Sequence, residues 1–409
     1  MDKESTPLKS RVDAHPIETK LLDRNPGMQT KHTPRWWFYV ITPIGSAILT
    51  LVVIEVCLVL FHPAPFSIEK GMYFEPDPFT GYKLKPNSLG YFQEEIPART
   101  NNHGHRDKFV SVEKADGVFR IMVLGDSFTM GTNVAEEETY PEVLETLLAL
   151  HATTRVEVVN AGVGGWSPFQ YAQYYQHYGS KFSPDLILIG FFVGNDTYIE
   201  ATAVHQLRTA VLGRRVSAEA ASARFIGLKV FLHNHSNIAR LLLNKGPVLY
   251  KAERESCSYF DDWFLALQRS NLVNHLKRTQ AQEERVQPSL GQIKRIKKHA
   301  KRDSIPVVVV LIPDENQINT DLQQVVLTGE ERSKFDFEMP QSMLKDLFAD
   351  AAIPVIDLLP FFRNDSRCLY LSETHWTPEG HKLAASVIYE HITDERAWPN
   401  LTSRFNAKY

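Results

Sequence analysis

Residues 120–131 read RIMVLGDSFTMG, and the interpretation of the whole chain starts from this stretch. Its apolar first part is β-prone, and Gly125-Asp126-Ser127 ends it before a helix-like pattern at about residues 136–151. A strand that ends in a tight turn before a helix exposes a small side chain at the sheet edge, where α/β enzymes hold nucleophilic serines. Alternatively, these residues only form a turn and cap a helix.

The pattern that begins here is β-α-β-α-β, followed by two more apolar runs and a last helix. The runs are continuously apolar rather than alternating, which is typical of a parallel sheet covered on both faces. The sequence therefore predicts an α/β fold, a three-layer α/β/α sandwich. The predicted strands are residues 119–124, 156–159, 186–192, 306–312 and 354–358, and the predicted helices are residues 136–151, 168–180 and 378–392.

Composition divides the 409-residue chain into segments. The polar, proline-containing start has no apolar periodicity, which predicts disorder, and the net charge of −3 does not indicate a nucleic-acid partner. A helical insert is expected at about residues 197–304, with helix-like pieces at about 225–243 and 260–301. The predicted segments are a cytoplasmic tail (1–35), a transmembrane signal anchor (36–62), an extended juxtamembrane lead-in (63–118), the α/β domain (119–398) and a tail (399–409).

The predicted anchor is a 22-residue apolar run, residues 40–61, whose only charged residue is Glu55. An aromatic cluster at residues 36–39 precedes it, and about 20 apolar residues suffice to cross a membrane. Lys31 and Arg35 lie just before the run, so the positive-inside rule predicts a cytoplasmic N-terminus and a periplasmic or extracellular α/β domain. A cleaved signal peptide is the alternative, but the run is long for one and no small-x-small site follows.

The chain contains only three cysteines. Cys57 falls inside the predicted span, whereas Cys257 and Cys368 fall in the exported part, where a disulfide is permitted. Their presence alone does not establish a bridge between them. No Cys/His cluster has the spacing of zinc ligands, so no metal site is predicted.

Four polar blocks follow predicted strands or precede the last helix. A single block of this kind is an ordinary turn. Because the carboxyl ends of parallel strands meet at one sheet edge, all four in this order indicate a common site. The blocks are residues 125–127, 160–167, 194–196 and 372–381.

At these residues the chain resembles the SGNH (GDSL-type) hydrolase superfamily, over about residues 102–392 apart from the insert. The resemblance implies a flavodoxin-like sandwich, with Ser127 as the nucleophile and His375 as the general base. It implies an oxyanion hole formed by the N–H groups of Ser127 and Gly165 and the side-chain amide of Asn195. It also implies that no cofactor is needed.

The acid that orients the histidine departs from the common pattern. Most members of the superfamily have an aspartate three residues before the histidine, where this chain has Ser372. Glu373, two residues before His375, resembles the Asp-x-His-Trp variant of membrane-linked and polysaccharide-acetylating members, with glutamate replacing aspartate. The implied acid is therefore Glu373.

These residue types suit acyl transfer on chemical grounds as well. A serine hydroxyl needs an adjacent base, histidine has a suitable pKa, and a carboxylate on the other ring nitrogen fixes its tautomer. Backbone and amide N–H groups would stabilise the oxyanion that forms when an ester carbonyl is attacked. Trp166 and Trp376, which flank two of the blocks, would line an acyl or sugar pocket or belong to the core.

The first hypothesis is a membrane-anchored serine esterase. It would act through an acyl-serine intermediate on ester-linked acyl groups, in particular O-acetyl groups of a cell-surface or exported polysaccharide. If a sugar hydroxyl replaces water as the acceptor, the same site is an O-acetyltransferase. A hypothesis of another class is a catalytically idle glycan-binding or assembly module, which only the unusual spacing of Glu373 favours.

Overall fold

A computed structural model describes residues 36–61, 74–92, 96–197 and 260–396. The first range is a single helix, α1 (Trp36–Phe61). Its residues Tyr39–Cys57 are long and apolar enough to cross a membrane, in agreement with the length and composition of the predicted span. Both predicted terminal tails, residues 1–35 and 399–409, lie outside the described residues.

The predicted extended lead-in contains two antiparallel hairpins. In the first, β1 (Phe74–Asp77) pairs with β2 (Gly81–Leu84), and in the second, β3 (Leu89–Phe92) pairs with β4 (Ile96–Arg99). Apolar side chains of both hairpins belong to the hydrophobic core of the α/β domain. Each strand has only four residues, too few for a period-2 pattern to identify it in the sequence.

The centre of the domain is a five-stranded parallel sheet with the order β6-β5-β7-β8-β9. All five predicted strands are confirmed, and the predicted limits of the third are identical to those observed. The strands are β5 (Val118–Gly125), β6 (Arg155–Gly162), β7 (Leu186–Phe192), β8 (Val307–Ile312) and β9 (Val355–Asp357).

Helices cover both faces of this sheet, so the predicted three-layer sandwich is confirmed. Alternate side chains of each strand enter two separate hydrophobic clusters, one on each face. On β5, for example, Met122 and Leu124 join one cluster, whereas Ile121 and Val123 join the other. The helices are α2 (Ser127–Met130), α3 (Tyr140–His151), α4 (Pro168–His177), α5 (Asp262–Asn271), α6 (Gln280–Ala300), α7 (Thr320–Val326), α8 (Met339–Asp350), α9 (Leu359–Arg363) and α10 (Pro378–Thr393).

The sequence predicts that an insert extends to about residue 304, whereas helix α6 belongs to the sandwich itself. It packs against α4, and one face, with Leu290 and Ile293, is buried in the core. It is thus part of the crossover that joins the parallel strands β7 and β8. An insert in this connection ends before Gln280. The basic residues at the end of α6 obscured its apolar face in the sequence, and the predicted helical piece at 225–243 lies outside the described residues.

The cysteines differ in redox state. Cys57 in α1 is free, whereas Cys368, between α9 and α10, is disulfide-bonded. The third cysteine of the chain, Cys257, lies outside the described residues. A disulfide at Cys368, which the sequence left open, is consistent with an oxidising compartment.

Candidate active site

The strand order brings the four polar blocks to one edge of the sheet. From β5 the chain goes to β6 on one side and then returns to β7 on the other, so a crevice opens at the carboxyl ends of these strands. Ser127 follows β5, Gly165 follows β6, and Asn195 follows β7. His375 lies in the loop that precedes α10.

Ser127 is the first residue of α2, a four-residue helix that follows β5 after a single residue. That residue, Asp126, caps the helix, because its Oδ1 accepts a hydrogen bond of 2.9 Å from Phe128 N. Position 125 requires a glycine, because the Cβ of any other residue would lie 1.9 Å from Oγ1 of Thr129. Ser127 is partly exposed between two buried neighbours, and its N–H has no acceptor within the helix.

A buried arginine of the lead-in holds the other end of this short helix. Arg106 donates from Nη1 to the carbonyl of Met130 at 3.0 Å and to that of Gly131, and from Nη2 to the carbonyl of Val134 at 2.5 Å. Its guanidinium also lies 4.8 Å from the ring centroid of Phe92 in β3. Charge-assisted bonds of this kind are strong, so the lead-in stabilises the turn that carries Ser127.

His375 and Glu373 are in direct contact. His375 Nδ1 lies 2.7 Å from Oε2 of Glu373, and the two side chains are 16% and 11% exposed. Thr374 between them has a φ of 88°, in a region that residues other than glycine rarely occupy. This conformation of the loop brings into contact two side chains that are only two residues apart in the sequence. The position three residues before the histidine, Ser372, is buried, and the unusual spacing of Glu373 does not prevent the contact that a triad needs.

A buried glutamine of α5 supports the same loop. Gln268 donates from Nε2 to Oγ1 of Thr374 at 3.1 Å and accepts at Oε1 from Asn316 Nδ2 at 2.8 Å. Gln268 and Asn316 are both fully buried. The sequence analysis missed this network because its members come from three distant parts of the chain.

Glu315, which follows β8, is a second buried acid near this loop. Burial raises its pKa to about 8; a hydrogen bond from Asn319 opposes the shift, and the charges of Asp314 and Glu373 add to it. At neutral pH Glu315 is therefore mostly uncharged. It adds little negative charge beside Glu373.

The side chain of Asn195 is oriented by Asp126. Asn195 Nδ2 donates to Oδ2 of Asp126 at 3.1 Å, which occupies one of its two amide hydrogens and leaves the other for a ligand. The turn itself is held by Asp196, whose Oδ2 accepts from Phe192 N at 3.0 Å and from the Tyr171 hydroxyl at 3.0 Å. Burial raises the pKa of Asp126, and the hydrogen bonds that its carboxylate accepts and the charge of His375 oppose this shift.

Ring contacts and burial show where His375 and the two tryptophans of the polar blocks lie. The ring centroids of His375 and Phe128 are 5.3 Å apart, so the imidazole lies beside the residue that follows Ser127. Trp376 packs edge to face on Phe128 at 5.0 Å and is fully buried. Trp166 is 1% exposed. Both tryptophans are therefore core residues, not the walls of an open pocket.

Gly165 completes the set of predicted oxyanion donors. It is exposed, and its φ of 75° is in the left-handed region that favours glycine. Within the described residues, no protein atom accepts a hydrogen bond from its N–H. This N–H is consequently available to a ligand at the carboxyl edge of the sheet.

Comparison with known proteins identifies the family. The profile of the GDSL-like lipase/acylhydrolase family matches residues 123–383, more than half of the 409-residue chain. The chain belongs to this family, which confirms the predicted resemblance, and it is an ester-hydrolysing enzyme with acyl esters as substrates. No match was found among curated protein sequences.

Solved structures of esterases are similar to this chain at low sequence identity. The acetyl xylan esterase AlAXEase is 12% identical, with 66% of this chain and 98% of that chain covered and a TM-score of 0.36. The lipase/acylhydrolase from Enterococcus faecalis is 15% identical, with 67% and 95% covered and a TM-score of 0.34. CEX, a two-domain esterase active on acetylated mannans, is 14% identical, with 71% and 52% covered and a TM-score of 0.35.

Proposed function

We propose that this enzyme is a membrane-anchored serine esterase that removes acyl groups, in particular O-acetyl groups, from a cell-surface or exported polysaccharide. The observation that carries the proposal is the 2.7 Å contact between His375 Nδ1 and Glu373 Oε2, at the sheet edge where Ser127 is partly exposed. A carboxylate that accepts from Nδ1–H keeps the imidazole in the tautomer whose Nε2 is basic.

The reaction has two steps. In the first, Ser127 Oγ attacks the ester carbonyl carbon while His375 Nε2 takes the hydroxyl proton, and the bond to the leaving alcohol then breaks as His375 returns the proton to it. In the second, His375 activates water, which attacks the acyl-serine and releases the acid and free Ser127. The charge of Glu373 stabilises the imidazolium in both steps.

The oxyanion that forms in each step would be stabilised by the N–H groups of Ser127 and Gly165 and by the second amide hydrogen of Asn195. Removal of one donor typically lowers the rate by about a hundred- to a thousandfold. We therefore expect Asn195→Ala to lower kcat by that factor, measured as hydrolysis of p-nitrophenyl acetate. A loss below about tenfold would contradict the assignment of Asn195 to the oxyanion hole.

The acyl acceptor separates an esterase from an O-acetyltransferase. The Glu-x-His-Trp sequence at residues 373–376 resembles polysaccharide-acetylating members, which supports a sugar substrate. The full-length protein would be incubated with an O-acetylated oligosaccharide, or with p-nitrophenyl acetate and the unmodified oligosaccharide. Release of free acetate from the O-acetylated oligosaccharide identifies an esterase. Acetylation of the unmodified oligosaccharide in the incubation with p-nitrophenyl acetate identifies a transferase. Turnover of the aryl ester with neither product would exclude the sugar substrate, and Ser127→Ala controls for background hydrolysis.

The anchor and its orientation form a separate part of the proposal. The length and composition of Tyr39–Cys57 support a span, and Lys31 and Arg35 support a cytoplasmic N-terminus. Fractionation of cells that express the full chain, followed by protease treatment of intact spheroplasts, tests both points. We expect an integral membrane protein whose catalytic domain is cleaved from outside. A domain protected until lysis would contradict the orientation, and a soluble product that lacks the helix would identify a cleaved signal peptide.

A further inference from the structure

The peptide group between Gly164 and Gly165 is held by a tyrosine of the lead-in. The hydroxyl of Tyr82 in β2 donates to the carbonyl oxygen of Gly164 at 3.0 Å. The same hydroxyl would lie 2.9 Å from a Cβ placed on Gly165, so the phenol lies directly against both glycines. The two partners of this hydrogen bond are 82 residues apart in the sequence.

The carbonyl of Gly164 and the N–H of Gly165 belong to the same planar peptide unit. In a trans peptide the C=O and N–H bonds point in opposite directions, so a donor that fixes the carbonyl also fixes the direction of the N–H. A hydrogen bond to the carbonyl also polarises the peptide and makes its N–H a better donor. The contact made by Tyr82 therefore acts on the group that the proposed mechanism uses to stabilise the oxyanion.

Tyr82 is itself fixed in place. Trp166 Nε1 donates to the backbone carbonyl of Tyr82 at 3.0 Å, and Phe74 of the paired strand packs edge to face on its ring at 5.2 Å. Burial, with a smaller contribution from the charge of Asp126, raises the pKa of the Tyr82 hydroxyl, so the hydroxyl stays protonated and remains a donor. Tyr82 precedes residue 123, where the match to the family begins.

We propose that Tyr82 is a positioning residue of the oxyanion hole, which orients and polarises the Gly165 N–H through the carbonyl of Gly164. This inference rests on the proposed function of Gly165. It makes the first hairpin of the lead-in part of the catalytic unit rather than a connection between the anchor and the enzyme.

Tyr82→Phe removes only the hydroxyl, and Tyr178→Phe is its matched control. The hydroxyl of Tyr178 donates to Oδ2 of Asp77 at 2.6 Å, so it ties down the same hairpin without touching the glycines. With the full-length protein and p-nitrophenyl acetate, we expect Tyr82→Phe to lower kcat by about five- to tenfold, the effect of one neutral hydrogen bond. Its KM should stay within about twofold, and Tyr178→Phe should change neither constant, because its bond does not reach the peptide that carries the oxyanion donor.

A second measurement does not depend on catalysis. Gly164-Gly165 is the only Gly-Gly pair in the chain. In protein made with glycine labelled with ¹³C at the carbonyl and with ¹⁵N, an HNCO spectrum therefore contains a single peak, from this peptide. We expect the Gly164 carbonyl and Gly165 nitrogen resonances to move upfield in Tyr82→Phe, since both lose the effect of the hydrogen bond, and to stay in place in Tyr178→Phe.

The two measurements together separate the possible outcomes. A lower kcat with an unchanged KM and a shifted peak, confined to Tyr82→Phe, supports the inference. An unchanged peak, an unchanged kcat in an active enzyme, or an equal loss in Tyr178→Phe overturns it. If the wild type has no turnover that depends on Ser127, the proposed function fails, and the peak alone decides whether Tyr82 orients this peptide.

Discussion

Replacing His375 with alanine should lower kcat/KM for an aryl acetate by about 10⁴- to 10⁶-fold, as in enzymes where serine and histidine act as a unit. Without the imidazole, no group takes the proton of Ser127 during attack or returns it to the leaving alcohol. Hydrolysis of p-nitrophenyl acetate by the full-length protein in detergent measures this loss. Added imidazole should restore part of the activity, because a small base can enter the space left by the ring.

The matched control for this prediction is His391→Ala. His391 lies in α10, and its Nδ1 is 2.8 Å from the carbonyl oxygen of Val387, away from the polar blocks. Its replacement should leave kcat/KM within about twofold, as expected for a surface substitution away from the site. A His375→Ala enzyme with more than about one tenth of the wild-type activity would contradict the assignment of the general base.

Replacing Glu373 with glutamine should lower kcat/KM by about 10³- to 10⁴-fold, the effect of the corresponding substitution in a serine protease triad. The amide occupies the same volume but has no charge, and it can donate to Nδ1 and so favour the wrong tautomer. Loss of the negative charge also removes a group that stabilises the imidazolium and so lowers the pKa of His375. Because the base must be neutral, the acidic limb of the pH profile of kcat/KM should move to lower pH.

Two variants test whether this effect is specific to the contact. Glu379→Gln alters an exposed acid at the start of α10, bonded to Arg367 and Lys382, and should leave the pH profile unchanged. Glu373→Asp keeps the charge but shortens the side chain by one methylene, so it should lose activity by lengthening the 2.7 Å contact. A glutamine variant within about tenfold of the wild type would show that Glu373 is not the orienting acid.

The functional unit is larger than the part of the chain that matches the family. The match begins at residue 123, yet Tyr82 donates to the carbonyl of Gly164 and Arg106 donates to the turn that carries Ser127, both from earlier positions. An enzyme truncated to the matched region would lose both contacts and leave the carbonyls of Gly164 and Met130 without these donors. The lead-in therefore belongs in any fragment used to study catalysis.

The residues on the sheet edge could be predicted because their signals are local. Ser127 and Asn195 each follow a continuous apolar strand, and His375 shortly precedes a helix with a proline at its start. The order of the blocks along the chain then indicates one edge of a parallel sheet. For the same reason the sequence predicts all five strands, since buried parallel strands are long apolar runs, although β6 ends at Gly162 rather than at the predicted residue 159.

The supporting residues could not be predicted because their contacts are long-range. Tyr82 and Gly164 are 82 residues apart, and Gln268 and Thr374 are 106 residues apart. The sequence around Tyr82 and around Gln268 has no periodic pattern that distinguishes either residue from an ordinary surface residue. The contact of Glu373 with His375 depends on the positive φ of Thr374, and no propensity predicts that conformation for a threonine.

The central claim is that Ser127 is a nucleophile activated by His375, and covalent labelling tests it most directly. The full-length protein would be treated with a fluorophosphonate, which traps an activated serine as a tetrahedral phosphonyl adduct, and the modified peptide would be identified by mass spectrometry. The account predicts one adduct, on Ser127, that is absent in Ser127→Ala and forms far more slowly in His375→Ala. An adduct on another residue, or none on a wild-type protein that hydrolyses p-nitrophenyl acetate, would contradict it.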